Sequence, residues 1–343
     1  MAKKIAIIGH FGGNETFLDG QTVKTKVLFA ELERMGEYNI YKVDTYYKKH
    51  NPIKLIWRTL RALSSYKEIF VLLSSGGMKI YFPLLYHVVK LRHIRVYHDV
   101  IGGNLDGYVR KNPKWSRYLN SFNVNWVETQ SMKEKLERLG ITNAEVLPNF
   151  KNLQSVPSTD YTDPIFRFCT FSRVMKEKGI EAAVEVIMRV NREYGKTVCA
   201  LDIYGAIDDG YADEFEKLKD TFDEAISYRG LVPYSDSVSV LKNYYALLFP
   251  TFWDGEGFPG TVLDAYASAI PVIASDWNYN RELVSHMRTG IIYPEGEFSD
   301  LYGTVKWAVE HRNEINIMRR NCADEYLQYK PDTVMKKVTK RLG

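Results

Sequence analysis

Two carboxylates, Glu256 and Asp264, stand eight residues apart in FPTFWDGEGFPGTVLDAYASAIPVIASD, the segment from Phe249 to Asp276. Leu247 to Pro250 is an apolar run suited to a strand, and Pro259 suits the first turn of a helix, where its missing N–H costs nothing. Pro271 ends that helix, and Pro271 to Ser275 reads as the next strand. Glu256 is therefore expected on the loop beyond a strand's carboxyl end, with Asp264 about two turns into the following helix. That crevice is where open α/β sheets take ligands, and two acids around a Gly/Pro turn there read as a nucleotide-sugar site.

Strands and helices alternate along the whole chain, which predicts an α/β protein with parallel sheets. In the first half the strands are expected at Lys4–Ile8, Tyr38–Val43, Ile69–Leu73, Arg95–His98, Trp126–Glu128 and Glu145–Leu147. A polar stretch with two prolines, Lys151 to Pro164, follows as a linker. The second alternation runs through Phe166–Phe171, Cys199–Tyr204, Ala225–Arg229, Ala246–Phe249, Pro271–Ser275 and Gly290–Tyr293. Expected domains are 1–157, 158–326 and a helical tail, 327–343, with Val334, Val338 and Leu342 at helical spacing.

The run Glu256-Gly257-Phe258-Pro259-Gly260-Thr261-Val262-Leu263-Asp264-Ala265 resembles the signature of the retaining glycosyltransferases of family 4, two Glu separated by seven residues. The second acid here is Asp, a departure from that pattern. The resemblance covers nearly the whole chain and implies the GT-B architecture: two Rossmann-like domains facing a central cleft, with the last helix crossing back to the first. It implies a nucleotide-sugar donor, UDP- or GDP-linked, as co-substrate, with no further cofactor and no metal. Asp264 would hold the ribose, and being one methylene shorter than Glu it must approach more closely or use a water. Glu256 would hold the sugar hydroxyls, with Phe258 and Gly260 lining the same turn.

Phe171-Ser172-Arg173-Val174-Met175-Lys176-Glu177-Lys178-Gly179 resembles the family's phosphate clamp, which makes Arg173 and Lys178 the diphosphate ligands. Glycosyl transfer leaves a nucleoside diphosphate with growing negative charge, which two cations and a helix N-terminus stabilise without a metal. By the same resemblance, Gly205, at the end of a strand, would be another donor contact. In the first half, Gly12 and Gly13 after the first strand would face the donor phosphates. Gln21 and Lys24, at a helix start resembling the family's, would touch the acceptor, as would Gly102 and Gly103. His98, in a His-Asp pair at a strand end, would lie near the reacting centre as a hydrogen-bonding or electrostatic group, not as a base. Asp44 ends the second strand as the ribose acid of a dinucleotide fold would, but the loop GHFGGN lacks the G-x-G-x-x-G fingerprint.

Lys and Arg outnumber Asp and Glu 24 to 13 in residues 1–157 and are outnumbered 22 to 29 beyond them. The basic first half points to an anionic partner such as a membrane surface or a lipid-linked phosphate, and the lack of aromatic-interleaved motifs argues against nucleic acid. Asn51 to Leu63 carries apolar Ile53, Ile56, Trp57, Leu60 and Leu63 beside Lys54, Arg58 and Arg61. That pattern fits either an interfacial helix or an ordinary helix packed on a core. The apolar stretch Ile69 to Leu91 is broken by Ser74-Ser75-Gly76-Gly77 and reads as strand, loop and helix, not as a span. Cys169, Cys199 and Cys322 lack metal-ligand spacing and suit reduced, buried thiols of a cytoplasmic protein. The expected activity is transfer of a sugar to a glycan or lipid-linked glycan in capsule or exopolysaccharide assembly, on the inner face of the membrane. A nucleotide-sugar epimerase and an inactive donor-binding partner subunit are the alternatives.

Overall fold

The computed structural model describes residues 2–15, 17, 19–294 and 298–342. The chain forms two units, Met1–Asn152 with Pro331–Gly343, and Leu153–Lys330. Every expected strand is present, most within one or two residues of its expected ends. The first unit holds β1 (Lys3–Gly9), β2 (Tyr38–Asp44), β3 (Glu68–Leu72), β4 (Arg95–Asp99), β5 (Val124–Val127) and β6 (Ala144–Val146). They form one sheet in the order β2-β1-β3-β4-β5-β6, with every neighbouring pair parallel. Strands such as Ile5–Ile8 and Ile69–Leu72 are buried along their length, as parallel strands covered by helices on both faces must be.

The second unit repeats the plan with β7 (Phe166–Phe171), β8 (Cys199–Tyr204), β9 (Ile226–Gly230), β10 (Ala246–Phe249), β11 (Val272–Ser275) and β12 (Gly290–Tyr293). Their order is β12-β11-β10-β7-β8-β9, again parallel throughout. In each sheet the chain first winds outward on one side and then returns to build the other. The reversal falls between β1 and β3 in the first unit and between β7 and β10 in the second. At such a switch point the loops leaving the two central strands diverge and open a crevice at their carboxyl ends.

The helical tail belongs to the first unit. Val334, Met335, Val338 and Leu342 of helix Pro331–Leu342 are buried in one core with Ile5, Ile7, Phe70, Tyr97 and Trp126. Burying each such side chain is worth about 1.5–3 kcal/mol relative to exposure, so the tail is an integral layer of this unit. Lys337 Nζ adds a hydrogen bond to the Val146 carbonyl at 3.2 Å, and Arg341 Nε one to Glu145 at 3.1 Å. Residues 69–91 resolve into β3 and helix Ser75–Arg92, and among the described residues no helix is long and apolar enough to cross a membrane. All three cysteines are free and buried.

Candidate functional site

Arg173, Lys178 and Glu256 come together at the switch point of the second unit. After β7 the chain makes a short 3-10 turn, Lys176–Lys178, and enters helix Ile180–Tyr194 through Gly179 at φ +68°. A Cβ at Gly179 would overlap the Pro250 carbonyl oxygen. Only glycine lets the loop after β7 lie against the end of β10, and that contact delivers Lys178 to Glu256. The two side chains are buried and ion-paired, and Thr251 Oγ1 lies 3.2 Å from the same carboxylate oxygen of Glu256. Burial pulls the Lys178 ammonium below the usual lysine range, opposed by the neighbouring Glu256 charge and hydrogen bond.

Trp253 is one residue that sequence reasoning missed. Its ring centroid lies 4.7 Å from Lys178 Nζ and 5.2 Å from the Arg173 guanidinium, so one aromatic plate faces both cations. The indole of Trp277 donates to the Trp253 carbonyl at 2.9 Å and holds that stretch of loop. Arg173 itself is 45% exposed, with Asp208 3.5 Å away. Gly205, at φ +141°, lies so close to the Ser172 carbonyl oxygen that a Cβ would overlap it, and thus supports the turn that carries Arg173. Trp253 sits three residues before the acid of the signature, a position whose type the signature leaves open.

Asp264 is buried on helix Gly260–Ala267 and accepts a hydrogen bond from Ser237 Oγ at 3.0 Å. Neither Asp264 nor Lys178 is a solvated surface residue. This helix starts behind Pro259 with no side-chain cap, and the buried Thr261 hydroxyl has no hydrogen-bond partner among the described residues. Uncapped first-turn amides suit an anion. Phe258, expected to line the donor site, turns its ring into the core edge-on to Tyr329 at 5.1 Å, so it anchors the turn and offers no ring face to a ligand. Ser237 carried no sequence signal, being far from the motif.

In the first unit Asp44 accepts from the amides of Phe11 at 2.9 Å, Gly13 at 2.8 Å and Tyr46 at 2.9 Å. Its carboxylate holds the loop after β1, which carries Gly12 and Gly13, and is not left over for a ribose. Gln21 Nε2 donates to the Leu72 carbonyl at 3.1 Å, tying helix Gly20–Arg34 to the end of β3. Lys24, expected to touch an acceptor, is instead buried, with Nζ 2.7 Å from Asp99, 2.9 Å from Glu128 and 2.9 Å from the Val100 carbonyl. Two acids and a carbonyl occupy its ammonium, so helix start and strand ends are locked together through it. Gly102 and Gly103 lie in the loop that follows β4.

His98 is fully buried, edge-on to Phe82 at 5.1 Å, with Nδ1 3.0 Å from Asn125 Oδ1. Asn125 spends its amide donors on the Leu119 carbonyl and Asn143, so its oxygen is an acceptor and Nδ1 carries the proton. Burial holds the ring's pKa down at about 4, which leaves it neutral near pH 7. A neutral ring has no cationic role; its Nε2, without a hydrogen-bond partner among the described residues, can accept a hydrogen bond.

Two doubly wound parallel units, the second with a cationic switch point and the first closed by the helical tail, define a GT-B protein. Residues 165–311 match the family model described as glycosyl transferases group 1. That match spans most of the second unit, and the whole chain takes the GT-B fold. It is similar to the structure of HepE from Anabaena in complex with UDP, at TM-score 0.74 and 14% identity over 99% of each chain. It is also similar to the sucrose-phosphate synthase of Thermosynechococcus elongatus, at TM-score 0.77 and 13% identity over 99% of each chain. A D-rhamnosyltransferase of Pseudomonas aeruginosa, WbpZ, is 26% identical over 104 residues, which are 30% of this chain and 27% of that protein.

Proposed function

We propose that this chain is a retaining hexosyltransferase that moves one sugar from a nucleotide diphosphate sugar to a hydroxyl of a lipid-linked oligosaccharide, in capsule or exopolysaccharide assembly at the cytoplasmic face of the membrane. The observation that carries it is the grouping of Arg173, Lys178, Trp253 and Glu256 at the switch point beside an uncapped helix start. A diphosphate bridging Arg173, Lys178 and the first amides after Pro259 meets fixed positive charge where negative charge grows as the glycosidic bond breaks. Glu256 accepts from the sugar hydroxyls, and Asp264 from the ribose, its bond to Ser237 fixing the carboxylate. The leaving phosphate oxygen takes the acceptor's proton on the same face, so no side chain serves as general base. UDP is the favoured carrier of the sugar, since HepE has been solved with UDP and with UDP-glucose. We assign the acceptor to the first unit, whose excess of Lys and Arg suits a phosphate-linked lipid.

Thermal unfolding across a panel of UDP- and GDP-sugars tests the reading. At a hundredfold excess over Kd the right donor adds about 2.7 kcal/mol, a rise of roughly 5–10 °C for a unit of this size. A panel in which no nucleotide sugar raises the melting temperature overturns it. Because two side-chain cations supply the charge, turnover is expected to persist in excess EDTA; loss restored by Mg²⁺ or Mn²⁺ would assign that work to a metal. Asp264→Asn is expected mainly to weaken donor binding, and Glu256→Gln mainly to lower turnover at saturating donor. Equal small effects from both would remove these two acids from the site.

A further inference from the structure

Helix Pro52–Ser65 has two apolar faces, and the fold uses only one of them. Thr59, Ala62 and Leu63 are buried against the first unit, with Thr59 Oγ1 3.0 Å from the Tyr81 hydroxyl. Ile53, Ile56, Trp57 and Leu60 fall at i, i+3, i+4 and i+7 on the outer side and are 79%, 59%, 57% and 58% exposed. At 100° per residue these four span about 100° of the helix, and Arg61, Lys54 and Arg58 occupy the arc next to it. Packing on the core explains the first face and leaves the second without a use.

The charge around that outer face has one sign. From Tyr47 to Ser65 there are five Lys and Arg and not one Asp or Glu. Lys54 Nζ lies 4.0 Å from the Tyr47 ring centroid, and the Arg61 guanidinium lies 5.5 Å from that of Trp57, so the bases are folded alongside the aromatics. Asn51 caps the helix through Lys54 N, and Pro52 opens it, so the segment is built as a stable helix with its outer face bare. An exposed apolar stripe flanked by bases matches the interface of an anionic bilayer, where headgroup phosphates meet the bases and the first methylenes meet Ile, Trp and Leu.

We propose that this face docks the protein peripherally on an anionic lipid surface, with Ile53, Ile56, Trp57 and Leu60 inserted at headgroup depth and Lys48, Lys49, Lys54, Arg58 and Arg61 on the lipid phosphates. The surface stands on residues outside the donor site, so the two readings fail separately. Co-sedimentation is to be measured with vesicles of phosphatidylglycerol and phosphatidylcholine, and with phosphatidylcholine alone. Wild type should prefer the anionic vesicles and lose binding as salt rises, because surface charges are screened over about 10 Å at 0.1 M. Lys54→Gln, Arg58→Gln and Arg61→Gln together should lower partitioning on the order of a hundredfold. Ile53→Ser, Trp57→Ser and Leu60→Ser together should abolish it. Both variants should keep the wild-type melting temperature and its rise with UDP, since the changed side chains point away from the core. Equal wild-type binding to both vesicle types overturns the proposal, as does wild-type binding by either variant. Wild type that ignores vesicles but forms a dimer which the serine variant dissolves would make the occupant a second copy of this chain, and likewise overturns it.

Discussion

Lys178→Ala is expected to slow transfer by on the order of a hundredfold and to lower the melting temperature of the second unit by roughly 10 °C. The two losses have different causes. The rate falls because a fixed cation beside the leaving diphosphate is worth about 3 kcal/mol of transition-state stabilisation. The stability falls because Glu256 keeps its buried position without the ammonium that neutralised it, and an unpaired buried charge costs about 3–5 kcal/mol. At about 2–4 °C per kcal/mol for a unit of this size, that loss is easily seen in calorimetry. The pair Lys178→Met with Glu256→Gln removes both charges at similar volume and should regain most of the stability while turnover stays low. A single variant with wild-type melting temperature and wild-type rate would show that the ion pair is neither a structural nor a catalytic element.

Lys24→Met should destabilise the first unit by a similar amount, and more at pH 8 than at pH 5. Asp99 is buried beside Lys24, and burial, with a smaller push from the Glu128 charge, raises its pKa from 3.8 to about 6 even with the ammonium in place. A carboxyl raised above its unfolded value costs the fold nothing below the unfolded pKa, and its cost grows as pH rises through the folded one. In the wild type that cost develops between about pH 4 and pH 6. Removing Lys24 takes away the charge that limits the rise, so the upper end of the window extends and the variant's deficit grows between pH 5 and pH 8. Melting curves at the two pH values measure it, and Asp99→Asn in the Lys24→Met background should recover part of the loss at pH 8. Equal deficits at both pH values would mean that Asp99 is not the responding group.

The strands were legible because parallel strands buried on both faces must be written as short apolar runs between turn residues, and Ile5–Ile8, Ala246–Phe249 and Val272–Ser275 are such runs. The tail's return to the first unit was legible only as helical spacing at Val334, Val338 and Leu342 together with the resemblance. Of the site, Arg173, Lys178 and Glu256 were legible through the resemblance of the two motifs that carry them, and the structure brings them together. Lys24 was not, because a lysine at a helix start has the same local pattern whether it meets a ligand or two buried acids from distant strand ends. The direction of the Phe258 ring was hidden for the converse reason: a ring in a ligand loop can point to either side, and the partner that turns it inward, Tyr329, comes 71 residues later. Trp253 and Ser237 lie outside the spacing that defines the signature, and only the fold places them on its charges.

The tail has a consequence for how the chain is made. Residues 1–152 form a complete six-stranded sheet, but the face of β1, β3 and β5 that Val334, Met335, Val338 and Leu342 cover is left open until the whole second unit has been translated. At about 5–20 residues per second that interval is on the order of ten seconds or more. For that time Ile5, Ile7, Phe70 and Trp126 lack one of the layers that shields them, a nascent apolar surface for chaperones to hold. The second unit has every element of its core within one continuous segment and can close first. Synthesis runs from the first unit to the second, and completion runs the other way.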